Sequence, residues 1–185
     1  MDDDYDVLKK GKLESQVKTF ASSSKKTGVV YAKIKRIKNG KTQFLPWEKI
    51  SKKQGKIQEE LFLENFIGLP SAIIRRECFK ELGLFDEKLS CYEDWELWLR
   101  ISKYYDFKYI PKVLVNSPIL VGGITSNKNI LLKATNIIFK KHKKVILKNP
   151  KIAASWFFRL GDLYYHEKNL KKARNLFKKA DKRSP

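Results

Sequence analysis

The sequence predicts an α/β domain followed by an all-helical C-terminal part. Two observations support this fold class. Up to residue 127, short apolar stretches with the two-residue period of a strand alternate with stretches of helical period. Beyond residue 127, the apolar stretches all have helical period. We therefore predict three segments: an α/β domain over 1–127, a basic linking helix over 128–150 and a pair of helices over 151–185.

The first elements follow from local pattern. In KLESQVKTFASSS, Leu13, Val17 and Phe20 recur at helical spacing, and the serines end the helix. The alternation in GVVYAKIKRI predicts a half-buried strand whose solvent face carries Tyr31. Asn39-Gly40 is a turn sequence, so a hairpin should lead from this strand into a second one, KTQFL.

The remaining elements of the α/β part lead to an acidic helix. IQEELFLENF predicts a short helix, and GLPSAIIRR predicts an apolar strand opened by Pro70. ECFKEL predicts a helix that Gly83 ends. After a loop, a helix begins at Glu93 and Asp94 in SCYEDWELWLR, and FKYI and KVLVN predict two further strands.

The C-terminal part predicts a long amphipathic helix and two shorter ones. Pro150 ends the long helix, and the shorter ones follow in IAASWFFRLGDLYYHEK and LKKARNLFKKADK. The long helix presents an apolar stripe that either packs on the domain or lies on an anionic lipid surface. The stripe consists of Ile130, Ala134, Ile137, Ile138 and Val145.

The charge is strongly positive and unevenly placed. The formal net charge is +20, and residues 128–185 hold 17 basic and three acidic residues. Such a basic end indicates an anionic partner, namely phospholipid headgroups, nucleic acid or an acidic protein, unless it is only a solvated lysine-rich surface. Lysine outnumbers arginine and no nucleic-acid motif accompanies the charge, so nucleic acid is the weakest of these interpretations.

Cysteine usage and hydropathy exclude several classes of protein. Cys78 and Cys91 are the only cysteines and have no CxxC spacing, which argues against structural zinc and a disulfide scaffold and fits a reducing cytosol. No apolar run is long enough to span a membrane, and the acidic start MDDDYDVLKKGKLE is not a targeting signal. We expect a cytoplasmic protein, with peripheral contact to the inner membrane surface as an option.

Several blocks of the chain together resemble the second half of a family 2 glycosyltransferase with the GT-A fold. The blocks are KLESQV, the run NFIGLPSAIIRRECFKELGLFDEKLSCYEDWELWLRISKYYDFKYIPKVLV, and GGITSN, and their order and spacing match over roughly residues 2–127. The resemblance implies a partial GT-A domain with a Rossmann-like mixed sheet. It also implies an inverting transfer of a sugar from a nucleotide-diphosphate donor to a hydroxyl of a glycan or lipid-linked acceptor.

The C-terminal helices are similar to a single tetratricopeptide repeat. Phe157 stands at the usual tryptophan position of that repeat. This resemblance implies a protein partner bound through the helices. The matching positions are Leu160, Gly161, Tyr164, Ala173, Phe177, Ala180 and Pro185.

The glycosyltransferase resemblance implies a divalent metal, Mn²⁺ or Mg²⁺, on an Asp-X-Asp motif. In DDDYD the matching residues are Asp2 and Asp4, with Asp3 and Asp6 as alternatives because the register is open by a residue. Carboxylate oxygens suit such a cation, which offsets the charge of the departing diphosphate. The alternative interpretation is a disordered acidic terminus.

The resemblance also implies a catalytic base in YEDWELWLR. Asp94 matches the presumed base, with Glu93 as its neighbour. The alternative is that Asp94 accepts main-chain N–H groups at the helix start, which would lower its pKa and weaken it as a base. Trp95, Trp98 and Ile101 fall on one helix face, which favours the core over sugar stacking.

Arginines and glycines complete the candidate set. Arg75 and Arg76 match a region beside the acceptor cleft and are candidates for donor contact, although arginines there are often structural. Arg100 is expected to be solvated or ion-paired. In the loop ILVGGITSN, Val121 stands where many relatives have histidine before the glycines Gly122 and Gly123, so a metal or diphosphate contact there is not supported.

The resemblance lacks the family's N-terminal half, which holds the base and ribose of the donor. Three explanations are open: a wrongly placed start, a split gene with a complementing chain, or a remnant. We expect weak or no activity from the chain alone. The alternative function is a non-catalytic adaptor whose basic helical C-terminus binds a protein partner or an anionic membrane surface.

Overall fold

The computed structural model describes residues 6–38, 41–118 and 127–183, with the side chain of Lys38 excepted. It confirms the predicted class, an α/β fold with a mixed sheet and several C-terminal helices. In chain order the elements are β1 (Val7–Leu8), α1 (Lys12–Ala21), β2 (Thr27–Lys38), β3 (Lys41–Leu45), α2 (Gln58–Leu63), β4 (Ala72–Ile74), α3 (Arg76–Leu82), α4 (Glu93–Ile101), β5 (Asp106–Pro118), α5 (Lys128–Lys148), α6 (Pro150–His166) and α7 (Leu170–Asp181).

The chain divides into two compact units. The first comprises the described residues within Met1–Phe85 and Leu97–Leu120, and the second those within Asp86–Glu96 and Val121–Pro185. The loop before α4 and the first turn of α4 therefore group with the C-terminal helices. The predicted segments 1–127, 128–150 and 151–185 stay a prediction.

The first unit is built on a sheet in the order β1-β5-β2-β3, and β4 pairs with β2 beside β3. β2 and β5 run parallel, and the other pairs are antiparallel. The predicted β2–β3 pairing is therefore present, while the turn residues Asn39 and Gly40 lie outside the described residues. The first half of β2 lies between β4 and β5, which explains why residues 28–32 are apolar and buried without alternation.

The prediction that Tyr31 faces solvent is wrong. Its side chain is fully buried, its hydroxyl donates a hydrogen bond to the Lys53 carbonyl at 2.5 Å, and its ring lies 5.2 Å from that of Tyr109. Burial raises the pKa of the Tyr31 hydroxyl well above its ordinary value. Both faces of β2 are covered at this point, and the half-buried alternation resumes only at Lys33.

The predicted strands FKYI and KVLVN are one long strand, β5. The register with β2 runs from Ile110 to Val113 without a partner for Pro111, so the proline sits in a bulge. Proline lacks the N–H that a ladder needs and is tolerated at such a bulge. The pattern broke the strand in two because a proline usually ends one.

The helix α1 is present, but two of the apolar residues whose spacing predicted it face solvent. Leu13 and Val17 are 61% and 59% exposed, whereas Gln16 is fully buried and Lys12 nearly so. The Gln16 amide Nε2 donates to the carbonyls of Val30 and Ser71 at 2.9 and 2.8 Å. These two bonds fix the helix against β2 and the turn before β4. Loss of water lowers the pKa of the Lys12 ammonium.

Two glycines of the first unit are required by its geometry. Gly28 lies in β2 where a Cβ would come within 2.7 Å of both the Cys78 Sγ and the Tyr105 Cβ, so helix α3 approaches the strand closely. Gly83 ends α3 with a φ of 82°, as predicted from its position.

The second unit is a helical layer with asparagine caps. Asn127, Asn149 and Asn169 accept main-chain N–H bonds at the starts of α5, α6 and α7. The predicted end of α5 is confirmed, because the helix stops at Lys148 and Pro150 opens α6.

The buried face of α5 differs in part from the predicted stripe. Ala134 and Ile138 are buried as expected, but Val145 is exposed, and Ile130 and Ile137 are only partly buried. The buried face consists of Leu131, Ala134, Thr135, Ile138 and Ile146. Ala134 and Ile138 therefore pack within the helical unit, while the two surfaces predicted for the stripe, the domain and an anionic lipid surface, stay predictions.

Candidate active site at the start of α4

The two predicted catalytic acids occupy the first turn of α4. Glu93 opens the helix, and both Glu93 and Asp94 are half-buried. Asp94 Oδ1 accepts a hydrogen bond from the main-chain N–H of Trp95 at 2.6 Å. The carboxylate is thus oriented by the main chain, and the positive end of the helix dipole favours its charged form.

The residue that enters this helix has an unusual conformation. Tyr92 has a φ of 62°, in the left-handed region that residues other than glycine rarely adopt. Such a conformation costs on the order of 1 kcal/mol and persists only where surrounding contacts hold it. The Tyr92 ring packs edge-on against the Trp95 ring, with centroids 5.3 Å apart. This contact lies directly beside the two acids.

A third acid of the same turn, Glu96, has a different environment. Its side chain is fully buried, and its Oε1 lies 2.8 Å from Lys141 Nζ and 3.2 Å from His142 Nε2. Lys141 also contacts Asp86 at 3.0 Å. A buried carboxylate must be paired to be retained, so this cluster stabilises the helical unit. The cluster was not predicted, because its members are far apart in sequence. The one sequence feature that could have indicated it is an acid, Glu96, between the apolar residues Trp95 and Leu97.

The tryptophans belong to the core, as predicted. Trp95, Trp98 and Ile101 are fully buried. Within the second unit, Trp95 stacks on Trp156 with centroids 5.1 Å apart and planes 18° from parallel. Within the first unit, Trp98 Nε1 donates to the Ile67 carbonyl at 3.0 Å. With no exposed face, none of them serves as a platform for a sugar.

Arg100 binds main-chain carbonyls. Its guanidinium donates to the carbonyls of Leu82, Gly83 and Leu84, the last two at 3.1 and 2.6 Å. These carbonyls lie at and just beyond the end of α3, where a helix leaves acceptors without internal partners. Arg100 therefore holds the end of α3.

The two candidate donor-contact arginines lie at the junction of β4 and α3. Arg75 Nε donates to the Thr27 carbonyl at 2.9 Å, and its guanidinium lies 4.9 Å from the centre of the Phe20 ring. Arg76 is exposed in the first turn of α3. Their role in donor binding stays a prediction.

The candidate metal ligands Asp2 and Asp4, with the alternative Asp3, lie outside the described residues, as do Val121, Gly122 and Gly123. The other alternative, Asp6, is exposed just before β1, which pairs with β5 at the sheet edge. Among residues 6–38, 41–118 and 127–183, no group of three His, Cys, Asp or Glu side chains is placed to hold a metal ion. The fit to a hard divalent cation therefore rests on the carboxylate chemistry of the aspartate pair.

Both cysteines are free and buried. Burial raises the pKa of the Cys91 thiol to about 11, and the charges of Glu93 and Asp94 act in the same direction. Burial likewise raises the pKa of Cys78 to about 11. At neutral pH both are protonated thiols, so neither is set up as a nucleophile.

A comparison with known proteins identifies the family of the chain. In the part of the chain that the structure describes, no helix is both long and apolar enough to cross a membrane. A search of curated proteins found no significant match. The model of the family described as "Glycosyltransferase like family 2" matches residues 2–121, about two thirds of the chain. That range contains both the acidic run that precedes β1 and the Glu93–Asp94 turn of α4. The chain belongs to the glycosyltransferase-like family 2.

Proposed function

We propose that the chain takes part in inverting glycosyl transfer from a nucleotide-diphosphate sugar, with Asp94 as the general base. The observation that carries the proposal is the position of Asp94: a half-buried carboxylate, oriented by the Trp95 N–H, in the first turn of α4 and within the range matched by the family. Glu93, one residue earlier, is its neighbour in the site.

The proposed reaction is a single displacement with one proton transfer and one leaving group. The acceptor hydroxyl oxygen forms a bond to the anomeric carbon of the donor, and the bond from that carbon to the diphosphate oxygen breaks. The electron pair of the broken bond leaves with the nucleoside diphosphate, and the hydroxyl proton passes to the Asp94 carboxylate. A single displacement of this kind inverts the anomeric configuration. General-base assistance of this type contributes about 10²- to 10⁴-fold to a rate.

Burial distinguishes Asp94 from the other acid of the turn. Glu96 is fully enclosed and already contacts Lys141 and His142, so an acceptor cannot approach it without breaking that cluster. Asp94 and Glu93 retain solvent exposure. Of these two, Asp94 is the residue whose matching position in the family is the presumed base.

The donor side of the proposal rests on residues of the family resemblance. Asp2 and Asp4 would hold Mn²⁺ or Mg²⁺, which when bound offsets negative charge on the departing diphosphate. Arg76, exposed in the first turn of α3, and Arg75 beside it are the candidates for contact with the diphosphate. The proposed acceptor is a glycan or lipid-linked sugar, at the cytoplasmic side of the inner membrane. α6 and α7 are proposed as one tetratricopeptide-like unit.

The test measures nucleoside diphosphate released from a panel of nucleotide sugars with Mn²⁺ and a mixed glycan acceptor. Asp94→Asn should lower the turnover rate by about 10²-fold or more, without a matching change in the donor KM. Glu93→Gln serves as the matched control and should lose less than about tenfold. Turnover of Asp94→Asn at the parental rate would refute the base assignment.

A second readout does not need turnover. Binding of the nucleoside diphosphate, measured by calorimetry, should require Mn²⁺ and should be lost in Asp2→Asn or Asp4→Asn. It should persist in Asp94→Asn, because the base acts on the acceptor. Metal-independent binding of equal strength would contradict the metal assignment and leave the base assignment to the turnover assay.

A further inference from the structure

A groove with a cationic rim crosses one face of the second unit. Two adjoining cavities of about 560 and 440 Å³ form it, and residues of α5, α6 and α7 line them. Both cavities are lined by Phe139 and Lys143 of α5 and by Leu176 and Lys179 of α7. We call this surface the basic groove. It is distinct from Glu93 and Asp94, which line neither cavity.

The sequence places the groove residues on single helix faces. In α5 the lining positions are Asn136, Phe139, Lys140, Lys143 and Leu147, spaced as one face of a helix. In α7 they are Lys172, Asn175, Leu176 and Lys179, again one face, and Lys182 and Arg183 follow just after the helix. α6 contributes Phe157, Leu160 and Tyr164. Two amphipathic faces therefore flank an apolar floor.

The rim is positive. Of the described residues, six cationic side chains and no aspartate or glutamate line the two cavities. Within the same part of the chain, none of the six forms an ion pair, whereas the neighbouring Lys141 pairs with both Asp86 and Glu96. The six cations are Lys140, Lys143, Lys172, Lys179, Lys182 and Arg183. Three of them lie over aromatic rings of the groove, namely Lys172 over Tyr164 and Lys179 and Arg183 over Phe157, and none is neutralised by a described carboxylate.

Cations do not line every cavity of this unit. One cavity, about 620 Å³, is lined by Phe158, Phe177 and small residues, with Asp181 as its one charged side chain among the described residues. An adjoining cavity of about 550 Å³ carries Lys88, Lys133 and Lys140, so the positive surface extends from the basic groove in that direction. The arrangement is therefore complementary to a ligand with apolar groups on one side and negative charges flanking them.

We infer that the basic groove binds an acidic amphipathic peptide segment of a partner protein. A peptide of this kind sets its apolar side chains against the partly exposed Phe139, Leu147 and Leu176 and its carboxylates against the rim, as in helix-in-groove recognition. Lysine ammonium groups on flexible stems suit carboxylates at variable positions better than they suit one fixed planar anion. This binding activity goes beyond glycosyl transfer and does not depend on it.

The shape of the groove disfavours the other polyanions. The floor residues Phe157 and Leu160 are only 7% and 3% exposed, so they are recessed, whereas a helix that lies on a bilayer must present protruding apolar side chains. The Phe157 ring has Lys179 and Arg183 over it, 5.8 and 5.7 Å from its centre. A ring occupied in this way offers no face on which a nucleic-acid base can stack.

The experiment measures binding of a fluorescein-labelled peptide of about four helical turns, with leucines at i, i+3, i+4 and i+7 and glutamates elsewhere, to the full chain by fluorescence anisotropy. The groove variant is Lys143→Gln with Lys179→Gln. The matched control, Lys144→Gln with Lys178→Gln, removes the same charge from the adjacent positions, which do not line the cavities. We expect the groove variant to raise the Kd for the peptide by about tenfold and the control variant to raise it by less than about twofold.

Two further probes test the apolar floor and the competing ligands. Replacing the peptide leucines by serine should weaken binding by about tenfold or more, and Leu176→Asn should weaken the leucine peptide selectively. Equal losses in groove and control variants would overturn the proposal in favour of unspecific charge attraction. Absence of peptide binding up to about 1 mM would also overturn it. So would tighter, groove-dependent binding of oligouridine or of phosphatidylglycerol vesicles.

Discussion

In the first unit, the buried Gln16 and the half-buried Arg100 bind main-chain carbonyls, whereas in the second unit the buried Glu96 forms an ion pair with Lys141. Gln16 and Arg100 donate to carbonyls of the turn before β4 and of the end of α3. Glu96 instead contacts Lys141 and His142. A carbonyl does not titrate, but an ion pair does. The two units should therefore respond differently to pH, to salt and to the loss of one partner.

The largest effect is expected from the buried carboxylate of the second unit. Lys141→Met removes the ammonium that lies 2.8 Å from the fully buried Glu96 carboxylate, and taking the cation from a buried acid in this way costs about 3 kcal/mol of the free energy of unfolding. Urea unfolding followed by far-UV circular dichroism measures it. The exposed Glu87→Gln is the control and should change the value by less than about 0.5 kcal/mol. A variant as stable as its parent would show that the cluster is not needed.

A smaller loss is expected when the carbonyl-binding cation of the first unit is removed. Arg100→Gln leaves the carbonyls of Leu82, Gly83 and Leu84 without the guanidinium, at a cost of about 2 kcal/mol in the same unfolding experiment. Because neither a guanidinium nor a carbonyl titrates in this range, the loss should be equal at about pH 5 and about pH 8. A loss that depends on pH would break the distinction between the units. The exposed Arg76→Gln is the control.

The buried amide of α1 should contribute least among the carbonyl contacts. Gln16→Met fills the same space without donors to Val30 and Ser71, and we expect a loss of about 1 kcal/mol. Val17→Ser on the exposed face of the same helix should lower the free energy of unfolding by less, although Val17 is one of the apolar residues whose spacing predicted the helix. Equal or reversed losses would indicate that Leu13 and Val17, and not Gln16, face the core of the protein in solution.

Local signals predicted the elements of the molecule but not which faces are covered. Gly83 ends α3, Pro150 follows the end of α5, and Glu93 and Asp94 begin α4, since each of these features is decided by its immediate neighbours. Tyr31 was misplaced because its burial depends on strands and layers that come from other parts of the chain. The bulge at Pro111 was read as a break because a proline usually ends a strand, and only the pairing with β2 shows that β5 continues.

The candidate site shows the same limit. The place of Glu93 and Asp94 at the start of α4 was predictable from the sequence, and their catalytic role stays a prediction. The role of Glu96 was not predictable, because its partner His142 lies 46 residues further along the chain. No local spacing relates a buried acid to a cation at that distance, so a fully buried charge is recognisable only from the fold.

The smallest effect concerns the outer member of the charged cluster. A hydrogen bond from Lys141, together with the Lys88 N–H, holds the pKa of Asp86 below its ordinary value of 3.8. A carboxyl whose pKa is lower in the folded state stabilises the fold above its unfolded pKa, and that stabilisation is lost as the pH falls through the folded value. Asp86→Asn should therefore lower the urea midpoint slightly at about pH 7 and less at about pH 2. The effect is small because the Asp86–Lys141 pair retains access to water and is screened, so added salt should reduce it further.

The first-unit variant Gln16→Met provides the contrast, because it should lower the urea midpoint equally at both pH values. An Asp86→Asn deficit that is undiminished at low pH would mean that Asp86 acts through packing, and the contrast between a titrating second unit and a non-titrating first unit would then rest on Glu96 alone.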